Sequence, residues 1–440
     1  MRHIALLVAL FIVSATITNA QQGDTAKQIE DLKKEILQLH SRLDSLKLAI
    51  QGSQPGEDEL DLVSERLEKR LRDLENKIDA IGRSTAAIVF NPRTTAFLNF
   101  AARADNGVVF DDPGTTKISD KPFLRTVELD LRAPVDPYAE PVVIMSLEDE
   151  AGQGFSIDAE EAYGLIKRLP ILESAPLGMK FKVGKFRAPL GQNNKLHMHD
   201  LPWTTRPLVV SRFLGSEHGN FFESGFNPVG MDFDFFLPNP IPGTTLEMNA
   251  DVVRGGELAL SQGHGGNQPA FLGHLNLAAD WNNEHLMVLG ASAYQNGGAS
   301  STSLIIADAL YKWAPTERRE SRSFVVGGEA FFGRHSYPDS ALVQTVTNPI
   351  GWFAYVQYQF SYWLYGGFRY DMVQEPSDPK LGTKAFAAYA SYYTTEFLRF
   401  RLGFEHRLSD LTLQNNVNSV ILEINFVFGS HPTEPYWVNR

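Results

Sequence analysis

The most constraining feature of this chain is a long series of short segments in which apolar and polar residues alternate. Val127, Leu129 and Leu131 alternate with Glu128, Asp130 and Arg132. Met231, Phe233, Phe235 and Leu237 alternate with Asp232 and Asp234, and Leu398, Phe400, Leu402 and Phe404 with Arg399, Arg401 and Glu405. A period of two makes one strand face apolar and the other polar. Sixteen such segments fit between residues 94 and 429, and no apolar run after residue 20 is long enough for a transmembrane helix. A sheet that presents an apolar face to lipid must satisfy all its backbone groups, so it must close. The expected fold is an all-β transmembrane barrel of about 16 antiparallel strands, over residues 88–440. Long connections, such as 105–122, 191–220 and 255–269, alternate with short ones, such as 136–139 and 283–284. With the N-terminus in the periplasm, the long ones fall outside. Trp281, Trp313, Tyr362, Trp363, Tyr392 and Tyr393 then mark an interfacial girdle at the periplasmic rim.

Two segments precede the barrel. Residues 1–20, with Arg2, an apolar run from Ile4 to Val13 and a small residue at Ala20, have the form of a secretory signal peptide. Residues 24–82 carry Ile29, Leu32, Ile36, Leu39, Leu43, Leu46 and Ile50, then Leu60, Leu67, Leu71, Leu74, Ile78 and Ile81. Their three-and-four spacing predicts an N-terminal α-helical, periplasmic coiled coil. Homo-oligomerisation through residues 29–81 or packing against the chain's own barrel would each bury that stripe.

Composition removes several classes. The chain has 440 residues, no cysteine and a formal net charge of −12. Disulfide frameworks and thiolate chemistry are excluded, and the acidic balance argues against a nucleic-acid partner. No Gly-x-Ser-x-Gly elbow, His-Glu-x-x-His pair or phosphate-binding glycine loop is present, so an enzyme is not expected. Glu160 and Glu161 are adjacent acids, but neighbours on a strand point to opposite faces, so they are expected to be strand residues and not an acid/base pair.

Residues 191–220 form the longest external connection, and they are too apolar for a loop in water: Leu196, Trp203, Leu208, Val209, Val210, Phe213 and Leu214 all need cover. The expectation is a loop folded into the barrel mouth, with Lys195, Asp200, Arg206, Arg212 and Glu217 at a pore constriction. A solvated loop face would carry the same charges. Lys180, Lys182, Asp232, Asp234, Arg399, Arg401 and Glu405 are expected to face the lumen. His197, His199, Asp200 and His218 share the loop and are of the right type to hold zinc; hydrogen bonding within a folded loop would use them equally well.

The run Ala159-Glu160-Glu161-Ala162-Tyr163, followed by Val183-Gly184-Lys185-Phe186-Arg187-Ala188-Pro189-Leu190-Gly191, resembles the phosphate-selective porins O and P. Asn194 to Trp203, then Arg206-Pro207-Leu208-Val209, resembles a group named zinc-regulated TonB-dependent outer membrane receptors. The resemblance implies a bacterial outer-membrane barrel in contact with lipid. The plug domain such receptors require is missing, a short coiled segment standing in its place. The function expected is therefore a porin-like channel for passive passage of small solutes or ions. Metal-linked uptake, or an envelope tether through the coiled coil, are the alternatives.

Overall fold

The computed structural model describes residues 92–429, apart from 108–121, 150–153, 170–174, 216–224, 240, 262–263, 265–267, 319, 339–341 and 412–415, together with Lys34, Trp437 and Val438. The expected signal peptide, and the expected coiled coil of residues 24–82 apart from Lys34, therefore lie outside the described residues.

Among the described residues there are seventeen strands: β1 (Arg93–Asp105), β2 (Pro122–Arg132), β3 (Ala139–Asp149), β4 (Phe155–Ile166), β5 (Lys180–Lys185), β6 (Val229–Leu237), β7 (Thr244–Val253), β8 (Ala270–Trp281) and β9 (His285–Asn296), then β10 (Ser301–Trp313), β11 (Ser323–Pro338), β12 (Gln344–Thr347), β13 (Ile350–Gln359), β14 (Leu364–Gln374), β15 (Gly382–Thr395), β16 (Leu398–Ser409) and β17 (Val417–Gly429). Consecutive strands pair antiparallel, except that β12 pairs with β11 alone and β13 pairs with β11 in its place. The ring closes where β1 meets β17, in register from Thr95 opposite Gly429 to Asp105 opposite Ser419. The result is a 16-strand barrel; β12, four residues long, extends only the end of β11. Closure leaves no strand edge to pair with a second chain.

Side-chain alternation sorts the two faces. Outward lie Leu402, Phe404, Val420, Leu422, Phe426 and Phe428, all substantially exposed. Inward lie Arg401, Glu405, Ser419 and Glu423, all buried. An apolar outer face on a closed sheet suits lipid, where each backbone group must be paired within the protein. The β8–β9 turn shows how local chemistry fixes the short connections. Asn282 and Asn283 both have positive φ, +57° and +55°, as a tight hairpin turn of the favoured hand requires, and Asn tolerates that region.

Three expectations change. The connection expected over 191–220 is longer at both ends, since β5 stops at Lys185 and its partner β6 begins only at Val229. The intervening chain is drawn away from the wall. Tyr393 leaves the expected girdle because it points inward and is 4% exposed, whereas Tyr392, Trp363 and Trp281 remain outside. Glu160 and Glu161 do not point to opposite faces. Ile144 opposes Glu161 while Met145 opposes Ala159, so Glu160 is the extra residue of a β-bulge. The bulge resets the alternation and leaves both carboxylates buried.

Candidate functional site within the barrel

The chain between β5 and β6 leaves the wall and runs through the interior. It turns at Gly191, where φ is +66° and a Cβ would lie 2.3 Å from the Glu329 carboxylate, so only glycine fits. The first insert residues are then held by strands of one wall. The Gly191 N–H donates to Ser292 Oγ (2.9 Å), and the Gln192 and Asn193 N–H groups donate to Glu329 Oε1 (3.1 and 2.7 Å). Gln192 also reaches Asp308 and Asn276. Asn194 clamps the neck of the insert, donating to the carbonyls of Ala188 and Phe226 and accepting from the Phe226 N–H.

The opposite wall holds the middle of the insert through arginines. Arg401 donates to the carbonyls of Leu201 (2.6 Å) and Trp203 (2.7 Å), Arg125 to that of Thr204 (2.6 Å), and Arg369 to that of Thr205. Thr205 in turn donates to Glu405. These guanidiniums satisfy irregular backbone that would otherwise be buried without partners. Glu423 sits among Arg125, Arg399 and Arg401. Trp203, 1% exposed, packs edge-on against Tyr355 (4.7 Å) and Phe353 (6.0 Å) and lies under Arg369. Helix α1 (Leu208–Phe213) follows, with Leu208, Val209, Val210 and Phe213 buried. Trp437 and Val438, past β17, are also buried in the interior. Trp437 is fully buried between Tyr365 and Tyr393, and its indole N–H donates to the Asp200 carbonyl.

The buried arginines gather on one side of the interior, where Asp371, Glu405 and Glu423 pair with them. Arg103, Arg125, Arg369, Arg399, Arg401 and Arg407 project from β1, β2, β14 and β16, and all are buried. Half the ring away, β6, β7, β10 and β11 supply Asp232, Asp251, Asp308 and Glu329. Lys182 pairs with Asp232 at 2.9 Å and Lys180 with Asp234 at 3.9 Å. Lys195 faces this acidic side; burial nevertheless lowers its pKa, because desolvation outweighs attraction to Glu247 and Asp308.

The residues assigned to a constriction from sequence separate here. Arg206 is fully buried and braces the insert's own backbone, donating to the carbonyls of Asn193 and Leu196. Arg212 lies 3.9 Å from Glu375. Asp200 keeps part of its side chain exposed beside His199. Glu217 and His218 lie outside the described residues.

His197 and His199 meet three carboxylates that alternation alone does not bring to them. Glu128 comes from β2, and Glu160 and Glu161 from the bulge of β4. His197 Nδ1 lies 3.1 Å from Glu160 Oε2 and 3.2 Å from Glu128 Oε2, and its Nε2 lies 2.9 Å from Glu161 Oε1. His199 Nδ1 is 3.2 Å from the same Glu128 oxygen. Arg187 donates to Glu160 (2.9 Å). Desolvation opposes charge on both imidazoles, but Glu128 and its neighbours outweigh it and raise both pKa values, that of His197 strongly. Glu128 stands on the polar face read from sequence; its pairing with residues some seventy positions away is a product of the tertiary fold.

No family model matches the chain. A protein of Aquifex aeolicus described only as uncharacterized is 25% identical over 350 residues, 71% of this chain and 70% of that protein. Among solved structures, OprB of Pseudomonas putida has a TM-score of 0.48 at 11% identity, covering 77% of this chain and 94% of that one. The channel DcaP of Acinetobacter baumannii has a TM-score of 0.47 at 10% identity, covering 77% and 97%. An anion-selective porin of Comamonas acidovorans has a TM-score of 0.46 at 8% identity, covering 77% and 99%. This chain is a barrel of the bacterial outer membrane, by its closed even-stranded ring and its apolar outer face. What its interior does has to be read from its own residues.

Proposed function

We propose that the chain is a porin-like channel for passive passage of small solutes or ions, with the insert from residue 191 setting the width of the path. The observation that carries this reading is the charged inner wall. A barrel built only as a scaffold would gain more from an apolar interior, since buried ion pairs cost desolvation. Here arginines, with the carboxylates that pair with them, line one side, and Asp232, Asp251, Asp308 and Glu329 line the other. Such an arrangement lays a field across the lumen and selects by charge as well as size. The breadth of the insert's anchoring favours a narrow path and a small unit conductance.

The test is single-channel recording of the purified protein in a planar bilayer under a KCl gradient. Discrete steps are expected, and deletion of residues 195–212 is expected to enlarge them. A folded barrel that gives no steps would mean a closed lumen, and unchanged steps after the deletion would remove the insert from the path.

A further inference from the structure

We propose that Glu128, Glu160, His197 and His199 form a buried site for one divalent transition cation of the Zn²⁺ type, which ties the insert to the barrel wall at β2 and β4. The proposal rests on four observations. The first is charge. Glu128, Glu160 and Glu161 converge on His197, Arg187 pairs with Glu160, and the three glutamates and Arg187 are each at most 8% exposed. Two further positive charges are needed there, which two imidazolium protons or one divalent ion would supply.

The second is orientation. Both imidazoles turn Nδ1 toward the Glu128 carboxylate and Nε2 toward another carboxylate, Glu161 for His197 (2.9 Å) and Asp200 for His199 (3.5 Å). An imidazole that ligates a metal through one nitrogen commonly gives the other to a carboxylate, which fixes tautomer and ring angle. The third is that Glu128 Oε2, Glu160 Oε1 and His199 Nδ1 are buried atoms with no hydrogen-bond partner. Glu128 Oε2 has two ring nitrogens at 3.2 Å yet is aligned with neither. Buried polar atoms are seldom left so.

The fourth is spacing. Four ligands placed tetrahedrally at about 2.0–2.2 Å from an ion lie roughly 3.3–3.6 Å from one another. His197 Nδ1 lies 3.1 Å from the Glu160 oxygen and 3.2 Å from that of Glu128, and one ligand atom from each of these three residues falls within 4.8 Å of the others, so a slight spreading of the three would admit the ion. His199 Nδ1, 3.2 Å from the Glu128 oxygen, would complete the set by turning toward it. Two nitrogens and two carboxylate oxygens favour Zn²⁺ and its first-row neighbours over Ca²⁺ or Mg²⁺, which prefer all-oxygen shells.

The ion is offered during refolding, because the site is enclosed. Full-length protein is refolded into detergent with ZnCl₂, dialysed against metal-free buffer, and assayed for retained zinc and for its thermal unfolding midpoint. One zinc per chain and a raised midpoint are expected. Glu160→Gln and His197→Gln are expected to lower affinity at least tenfold, while His285→Gln, at the β8–β9 turn, leaves it unchanged. X-ray absorption should show nitrogen and oxygen neighbours only. Should the folded wild type retain no zinc, the two imidazolium protons and Arg187 suffice and the proposal fails; zinc retained equally by the Glu160 and His197 variants overturns it as well. Neither readout uses ionic current, so the channel reading stands or falls separately.

Discussion

Single residues in this interior are worth more than their counterparts on a surface, because each charge has been taken out of water for a specific partner. Glu423 is the clearest case. It lies on β17 facing three arginines and is fully buried. Removing one member of a buried ionic cluster leaves the others uncompensated, at a cost of about 3–5 kcal/mol. Glu423→Gln should therefore lower the urea midpoint of the folded barrel markedly, while Glu423→Asp should recover part of the loss. Lys195 makes the opposite kind of prediction. Its folded pKa is below that of an unfolded lysine, so its charged form is a cost. That cost is full below the folded pKa and is relieved as the pH rises through it toward about 10.4. The difference in urea stability between Lys195→Met and wild type should favour the variant at neutral pH and shrink as the solution becomes alkaline. A constant difference would show that lost packing, and not charge, governs the site.

At the scale of elements, the strands were the legible part. Alternation named all sixteen barrel strands because one face meets lipid and the other meets charge, which is the condition that makes period two visible. It failed where a second constraint overrode the period. The bulge at Glu160 adds one residue to β4 that no partner residue opposes, and nothing in the local pattern distinguishes that from a regular strand. The early end of β5 has the same origin, since Phe186 to Leu190 are apolar enough for a strand but serve as the neck of the insert. The loop histidines were legible as candidates, whereas Glu128 and Glu161 join them only through the fold. Next to the bulge, Gly184 has φ +139° and a Cβ there would lie 2.2 Å from the Ala162 carbonyl oxygen. Gly184→Ala should destabilise the barrel by about 1–3 kcal/mol, read as a lower temperature for loss of heat-modifiable mobility on a gel. An unchanged temperature would mean that β4 and β5 can separate there without loss.

For the whole molecule, Trp437 and Val438, beyond the last strand, are part of the interior. Trp437 touches the insert at Asp200 and the wall at Gln357, which donates to its carbonyl. Ending the chain after Gly429 should therefore loosen the insert from that side, giving larger or noisier current steps with the barrel still folded. Identical steps would detach the tail from the conducting path. The burial of Trp437 also bears on how such a cylinder is put together. The seam of β1 against β17 completes a wall around the insert and the indole alike. Wedged between filling and wall, the indole works as a peg that couples one to the other.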